Sequence, residues 1–416
     1  MTRSRLLQGY WILYDVASSG YVLLITAVAF PLYFKIHVAG NAAWSEALWG
    51  LLLASSSIAA GLISPVIGAA ADRTRGRLRY LALATAVCSG ATIALAAPGA
   101  SLFFTSVVFC LSYIAYLVAA SLYDALMKTI APVGSAAGLS ALGWGLGYIG
   151  GLLCYGMSSA FLHAGVSGSA AAIFSLTFVV VGIYYALLGG IAILGLRTVA
   201  STATTHVTGS LWSSSLRQVL STARLWRRGG TLPRMIIGVH LATGAVSTVA
   251  LFTPIMLSSS FGLSVSDVAL LSAIFSLLSI PTTLLAGWLA RRIDPLRLLF
   301  GLLPVWVLLI TLLVKGHGWW AGLAVSLCLG LALGPTNAMA RSLVAQLVIE
   351  TEAAEMFGFA ALVNRLTSAI GPLLFGLISS ATGIHWPAVL LAATVLIVGF
   401  AIIPRTIEAE PRRPVF

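Results

Sequence analysis

Long apolar stretches follow one another along the whole chain, and they decide what it can fold into. Hydrophobic residues make up 59% of the 416 residues and charged residues only 8%, whereas a soluble globular chain carries about 25% charged residues. A helix needs about 20 apolar residues to cross the hydrocarbon core of a bilayer. The sequence therefore excludes a water-soluble enzyme, a disordered protein and a coiled coil, and it predicts a protein that lies mostly in lipid.

Charges, glycines and prolines divide these stretches into twelve predicted transmembrane helices. The connections between them are short and leave no room for a soluble domain. The predicted spans cover approximately residues 8–34, 45–71, 79–97, 101–126, 137–162, 170–196, 235–259, 266–290, 296–314, 319–347, 355–381 and 386–404. We therefore expect an all-α membrane protein.

Basic residues predict the orientation of these helices. If the N-terminus is cytoplasmic, all but three of the 23 lysines and arginines lie at cytoplasmic helix ends; Lys35 and Lys315 lie outside, and Arg365 falls within a span. Cytoplasmic loops of membrane proteins carry such an excess. The net charge of +12 therefore marks a membrane face rather than a nucleic-acid-binding surface. Both termini are expected in the cytoplasm, and the short loops favour a bacterial inner membrane.

A basic linker divides the chain. Residues 198–234 are rich in Ser, Thr and Arg and contain no acidic residue. This segment is either an amphipathic helix lying on anionic lipid or a solvated basic loop. It separates a predicted N-terminal six-helix bundle, residues 1–197, from a predicted C-terminal six-helix bundle, residues 235–416.

The two predicted bundles share sequence features at a constant offset. The segment from Gly68 to Arg73 follows the second span, and a similar segment from Gly287 to Arg292 follows the eighth, about 220 residues later. At nearly the same offset, two glycines of the fifth span recur in the eleventh: Gly138 and Gly151, then Gly358 and Gly371. The repeat predicts two pseudo-symmetric bundles, which is typical of secondary transporters with a binding site between the halves near the bilayer midplane.

Several motifs resemble one known family. The segment from Gly68 to Arg79 resembles the loop between helices two and three of the major facilitator superfamily, with one glycine displaced by one residue. The stretch from Trp11 to Tyr21 is similar to the first helix of the vacuolar effluxer-like branch, which comprises autophagy-related amino-acid effluxers and their bacterial relatives. Further similar segments are Gly143–Gly151, Ala340–Leu343, Glu355–Phe359 and Gly371–Gly376. The resemblance implies the major facilitator fold and favours amino-acid export.

One acid and one base interrupt the apolar spans at similar predicted depths. Asp15 lies in the first span and Arg365 in the eleventh. A charge at the centre of a membrane helix costs at least about 2.5 kcal/mol and needs an explanation. We expect both side chains to face a central aqueous cavity, where Asp15 binds the ammonium group and Arg365 the carboxylate of a zwitterionic solute. Asp15 can also carry a coupling proton. The alternative is an Asp15–Arg365 ion pair that only holds the halves together.

Other polar and aromatic residues are candidates for the same cavity. Trp11, Tyr14 and Ser18 share one helical face with Asp15. Residues of other spans complete the predicted substrate or proton site: Asn364, His240, Trp144, Tyr148 and Asn337. Gly143, Gly147 and Gly151 have the spacing of a close helix–helix contact.

A second group of residues predicts a cytoplasmic gate. The resemblance implies that Asp72 faces the start of the eleventh span, next to Arg73. Arg77 can then bridge Asp72 to Asp124 and hold the cytoplasmic side closed until the halves rock apart. The alternative is ordinary anchoring of loop charges.

Motifs of soluble enzymes are absent from the sequence. It has no GxSxG, HExxH or nucleotide-binding loop, and its four cysteines stand alone in apolar runs. We therefore expect no enzyme activity, metal or cofactor. The predicted function is secondary transport by a monomer of a small polar or zwitterionic solute, an amino acid or related metabolite, by alternating access. Proton coupling and export stay open. The alternative is a lipid-handling or sensor protein on the same fold.

Overall fold

The computed structural model describes residues 3–74, 76–130, 136–163, 170–197, 231–347 and 353–404. These residues form twelve helices and no β-strand. The predicted linker, residues 198–234, lies almost wholly outside the described residues, so the two bundle boundaries stay predictions.

The N-terminal half contributes six helices. Helix α1 passes through four consecutive segments, Arg3–Gly20, Tyr21–Ala29, Phe30–Tyr33 and Phe34–Val38, of which the second and fourth are π-helical. The other five are α2 (Ser45–Arg73), α3 (Arg77–Ala94), α4 (Leu102–Ile130), α5 (Ala136–His163) and α6 (Ala170–Leu196).

The C-terminal half contributes the other six. They are α7 (Thr231–Ser259), α8 (Val265–Leu289), α9 (Pro295–Gly301 and Leu303–Lys315), α10 (Gly318–Leu347), α11 (Ala353–Thr382) and α12 (Trp386–Ile402). Local sequence fixes several starts. A capping box between Ser264 and Asp267 begins α8, while Asp294 caps α9 with Pro295 in its first turn.

Most of these helices can cross a membrane. By length and apolar composition, eight of the described helices qualify, namely α1, α2, α4, α6, α7, α8, α9 and α10. Helix α12 is apolar but only 17 residues long. Helices α3, α5 and α11 contain more charged residues or glycines, which lowers their mean hydropathy. The twelve helices coincide with the twelve predicted spans within a few residues.

Helices of the two halves touch along two main seams, α2 against α11 and α5 against α8. Small residues bring the backbones together. Gly50 and Gly376 let α2 and α11 approach until a methyl group at either position would collide with backbone of the partner helix, and Gly145 packs on Leu284 of α8. Close approach at small residues is the usual means of helix association in lipid.

The predicted glycine spacing on α5 serves a seam inside the N-terminal half. A Cβ atom at Gly147 would lie 2.6 Å from the Ser19 hydroxyl, and one at Gly151 would lie 2.6 Å from a Leu23 methyl group. Gly143 faces Asp15 in the same row. The glycines therefore press α5 against the polar face of α1.

Candidate functional site

Asp15 lies half-buried on the face of α1 that packs on α5. A Cβ atom at Gly143 would lie 2.5 Å from Asp15 Oδ2, so only glycine leaves room for the carboxylate. The Tyr123 hydroxyl on α4 donates to the Trp11 carbonyl oxygen, one turn before Asp15, at 3.2 Å. The charges that act on Asp15 are those of Arg341 and Asp124. Asp15 thus belongs to a group of charges drawn from three helices, α1, α4 and α10.

Arg365 crosses from the C-terminal half into the N-terminal half. Its Nη2 donates a 2.7 Å hydrogen bond to Ser121 Oγ and a 3.4 Å bond to the Leu117 carbonyl oxygen, both on α4. On the way, its aliphatic carbons pass Gly61 of α2 at van der Waals distance. The guanidinium is therefore held by neutral partners.

Arg341 also crosses from the C-terminal half into the N-terminal half. Its Nη1 donates a 3.0 Å hydrogen bond to Ser140 Oγ at the start of α5, and its guanidinium carbon stands 5.4 Å from the ring centroid of Trp144. Its position in the sequence, about two turns before the end of α10, indicated only a cytoplasmic charge. Inward orientation was not readable from the sequence, and this arginine was missed as a site residue.

Asp124 faces the protein interior yet is exposed to solvent. The exposed apolar side chains Phe104, Val107 and Leu111 mark the lipid face of α4. Asp124 comes 13 residues after Leu111, which places it about 220° around the helix from that face. The exposed Asp124 carboxylate therefore points away from lipid, toward the other helices. Arg341 and Arg365 are the cations that act on Asp124.

We call Asp15, Asp124, Arg341 and Arg365 the charge layer. Its acids belong to the N-terminal half and its arginines to the C-terminal half. No ion pair within 4 Å joins any two of these four described side chains, unlike Glu46, which pairs with Lys35 and His385 elsewhere in the structure. The Asp15–Arg365 ion pair that the sequence left open is therefore not formed. The layer places two positive and two negative charges near each other without direct neutralisation.

The remaining candidates on α1 pack within the N-terminal half. Trp11 is fully buried and stacks on Tyr123 with ring centroids 4.5 Å apart. The Tyr14 hydroxyl shares hydrogen bonds with Thr85 at 2.8 Å and Tyr185 at 2.9 Å. The Ser18 hydroxyl donates to the Asp15 backbone carbonyl at 3.2 Å. These residues support the position of Asp15 rather than present polar groups to a solute.

Candidates on the other spans divide into two groups. Asn364 is exposed and adjoins Arg365; because it precedes the lipid-facing Leu366 by two residues, it points about 200° away from lipid. Asn364 and Trp144 therefore lie beside the charge layer. The other three make local contacts: Tyr148 packs on Phe275, Asn337 donates to a carbonyl of its own helix, and the half-buried His240 has no hydrogen-bond partner for Nε2 among the described atoms, so their place in the site stays a prediction.

The predicted cytoplasmic gate cannot be traced as a whole. The side chains of Asp72 and Arg73 lie outside the described residues. Arg77 is described at the start of α3, and Asp124 belongs to the charge layer. The Asp72–Arg77–Asp124 network therefore stays a prediction. In the described part of the chain, no three His, Cys, Asp or Glu residues come together as a metal site.

Comparisons with known proteins agree with this architecture. The family model described as Major Facilitator Superfamily matches residues 235–415. A relative from Bacillus subtilis (strain 168), the uncharacterized MFS-type transporter YxiO, is 24% identical over 94% of this chain and 93% of its own length.

Solved structures share the fold at low sequence identity. A bacterial homolog of the human lysosomal transporter Spinster, in an inward-facing and unoccupied conformation, superimposes with a TM-score of 0.67 at 15% identity and 96% coverage of both chains. A point mutant of the nucleoside transporter NupG gives 0.68 at 17% identity, covering 97% of this chain and 99% of its own. Residues 235–415 are therefore similar to the Major Facilitator Superfamily model, and the whole chain, a multi-pass membrane protein by its apolar helices, shares the fold of these solved transporters.

Proposed function

We propose that this protein is a secondary transporter of a small zwitterionic solute, an amino acid or a related metabolite, that works by alternating access. The observation that carries the proposal is the charge layer, in which two acids of one half and two arginines of the other lie near each other without an ion pair. Charges inside a membrane protein are costly, and they are typical of substrate or ion pathways.

A zwitterion matches the layer because it brings one group of each sign. Arg365 already offers hydrogen bonds to neutral oxygens, and a carboxylate forms stronger, bidentate bonds with a guanidinium. The ammonium group then lies toward Asp15 or Asp124. Because acid and base come from different halves, a bound solute bridges the two halves. Its binding energy favours the conformation in which they are closest.

Coupling, direction and location complete the proposal. Asp15, the half-buried carboxyl of the charge layer, is the residue we assign to a coupling proton. The resemblance to amino-acid effluxers favours export. The distribution of lysines and arginines supports cytoplasmic termini in a bacterial inner membrane, and we take the monomer as the working unit.

A lipid-handling role is the second candidate, and one feature bears on it. An open apolar depression of about 350 Å³ on the surface of α8 is lined by Ile274, Leu277, Leu278, Ile280 and Pro281. Hydrocarbon fits such a lining, but those side chains offer nothing to a lipid headgroup. The charge layer therefore carries the first proposal more strongly.

The test uses the purified protein in two steps. A thermal-unfolding screen against amino acids, peptides, drugs and lysolipids identifies the class that stabilises it saturably. Counterflow in proteoliposomes then compares the best amino acid with its methyl ester and its des-amino analogue. We expect both analogues to lose at least tenfold in competition. Equal competition by either analogue contradicts the zwitterion proposal, and stabilisation by lysolipids alone favours the lipid-handling role.

A further inference from the structure

A second charged cluster lies where α2 begins and α11 ends, away from the charge layer. Glu46 stands in the first turn of α2, and its side chain is only 8% exposed. Lys35 Nζ donates to its Oε1 at 2.5 Å, His385 Nε2 approaches the same oxygen at 3.0 Å, and the Ser379 hydroxyl donates to Oε2. Lys35 and Glu46 belong to the N-terminal half, whereas Ser379 and His385 belong to the C-terminal half.

The histidine extends this network to a fifth residue. A carboxylate only accepts hydrogen bonds, so Nε2 of His385 must carry the proton in this contact. Its Nδ1 lies 2.7 Å from the Ser260 hydroxyl, just after α7. We call Lys35, Glu46, Ser260, Ser379 and His385 the Glu46 cluster.

Backbone contacts join the two halves at the same place. The Ala47 amide donates to the Ser380 hydroxyl at 2.8 Å. Gly376 lets the Glu46 carbonyl lie directly against α11. Helices α2 and α11 cannot separate at this end without breaking the bonds of the Glu46 carboxylate to Ser379 and His385.

We propose that the Glu46 cluster is a proton-binding site that latches the two halves together at this end. A proton taken from water onto a Glu46 carboxyl oxygen removes the negative charge that holds Lys35 and His385. It also turns one acceptor oxygen into a donor, so the cross-half bonds are lost and the halves separate here. The proposal rests on the alternating-access movement proposed above but on no particular substrate.

Lys35 and His385 are the other titratable groups described in the cluster, and a proton on either adds positive charge beside Glu46 and strengthens the latch, so only protonation of the Glu46 carboxylate loosens it. Helix α1 contributes Lys35, the α11–α12 connection contributes His385, and α7 and α11 contribute only serine hydroxyls. His37 packs on Tyr33 and Phe174 instead, and His317 packs on Phe261. With the predicted orientation, this end faces outside, so an acidic exterior opens the transporter toward the side that supplies protons.

The test measures opening at this end directly and needs no substrate. Spin labels at Ala43→Cys and Ala381→Cys, both exposed positions on opposite halves, report the separation in lipid nanodiscs at pH 7.5 and pH 3.5, in a background without the four native cysteines. We expect acid to increase the open population of the otherwise unaltered protein about tenfold. Glu46→Gln should be open to that extent at both pH values.

Asp267→Asn is the matched control, because Asp267 is an acid at the same end that bonds only within its own capping box. It should leave the pH response unchanged. If Glu46→Gln shows the same spin-label distances and the same pH response as the wild type, the proposal is overturned. If Glu46→Gln does not fold, the test uses Ser379→Ala and His385→Gln, because each variant removes one donor that crosses between the halves. Each should raise the open population at pH 7.5. Unchanged distances in both variants overturn the proposal. Loss of transport with a normal opening response counts against the zwitterion proposal alone.

Discussion

The charge layer and the Glu46 cluster both join the two halves, but they treat charge in opposite ways. In the Glu46 cluster, one carboxylate accepts bonds from a lysine, a histidine and a serine. In the charge layer, Arg341 and Arg365 donate to serine hydroxyls, although Asp15 and Asp124 lie nearby. A carboxylate with three donors has little capacity left for a solute, whereas unpaired charges keep theirs.

The difference predicts different costs of mutation. Removing one member of a buried, satisfied ion pair leaves its partner uncompensated and destabilises the closed conformation. Removing one member of the charge layer takes away a group that bonds a solute more strongly than it bonds the protein. Transport should therefore be most sensitive in the layer, and conformation most sensitive in the cluster.

The largest expected effect is that of Arg365→Gln. It removes the proposed carboxylate ligand, and loss of such a charge-assisted contact costs about 3 kcal/mol, or roughly 100-fold in transport. Counterflow in proteoliposomes measures the effect, with thermal unfolding as a check on folding. Arg291→Gln, an exposed arginine at the end of α8, is the control and should transport normally. Equal losses in the two variants would remove the distinction between layer and surface arginines.

Asp15→Asn separates solute binding from proton coupling. If Asp15 carries the proton, the variant should lose the dependence of uptake on a pH gradient and about tenfold of driven uptake, while exchange across a membrane without a gradient continues. Uptake measured at several imposed gradients decides this. A gradient response equal to that of wild type would assign the proton elsewhere, with the Glu46 cluster as the next candidate.

Gly143→Ala probes how tightly the layer is built. The added methyl group would lie 2.5 Å from Asp15 Oδ2 and 2.9 Å from a Trp11 ring carbon, and overpacking of this kind costs about 1–3 kcal/mol. We expect a lower unfolding temperature and weaker transport. Gly156→Ala on the same helix meets no atom within 4 Å and should be neutral in both measurements. A neutral Gly143→Ala would mean that Asp15 is free to move away.

The sequence predicted the number of helices well and the site only in part. Hydropathy and charge located the spans to within a few residues, because crossing lipid sets the length of each apolar run. Depth along a helix likewise singled out Asp15 and Arg365. It could not reveal which way Arg341 points, so that arginine was counted with the cytoplasmic charges. The Glu46 cluster escaped notice because Glu46 and His385 are 339 residues apart, and no local pattern links them.

A smaller effect is expected from Lys35→Met within the Glu46 cluster. Lys35 and Glu46 belong to the same half, so the variant leaves the bonds from Ser379 and His385 across the halves in place. A part-buried pair of this kind contributes about 1 kcal/mol. The spin-label measurement should therefore show a smaller opening than in Glu46→Gln. An opening as large as that of Glu46→Gln would mean that Lys35, rather than the cross-half donors, holds the latch.

The smallest expected effect is that of Ser121→Ala, and its sign is informative. Ser121 bonds Arg365 at 2.7 Å in the absence of solute, so it competes with a carboxylate for the guanidinium. Removing a bond worth about 0.5–1.5 kcal/mol should tighten solute binding two- to tenfold, as measured by thermal shift or competition. Thr311→Val, which loses only an exposed hydroxyl bonded within its own helix, is the control and should bind as wild type does. Weaker binding in Ser121→Ala would mean that the serine positions Arg365 for the solute instead of competing with it.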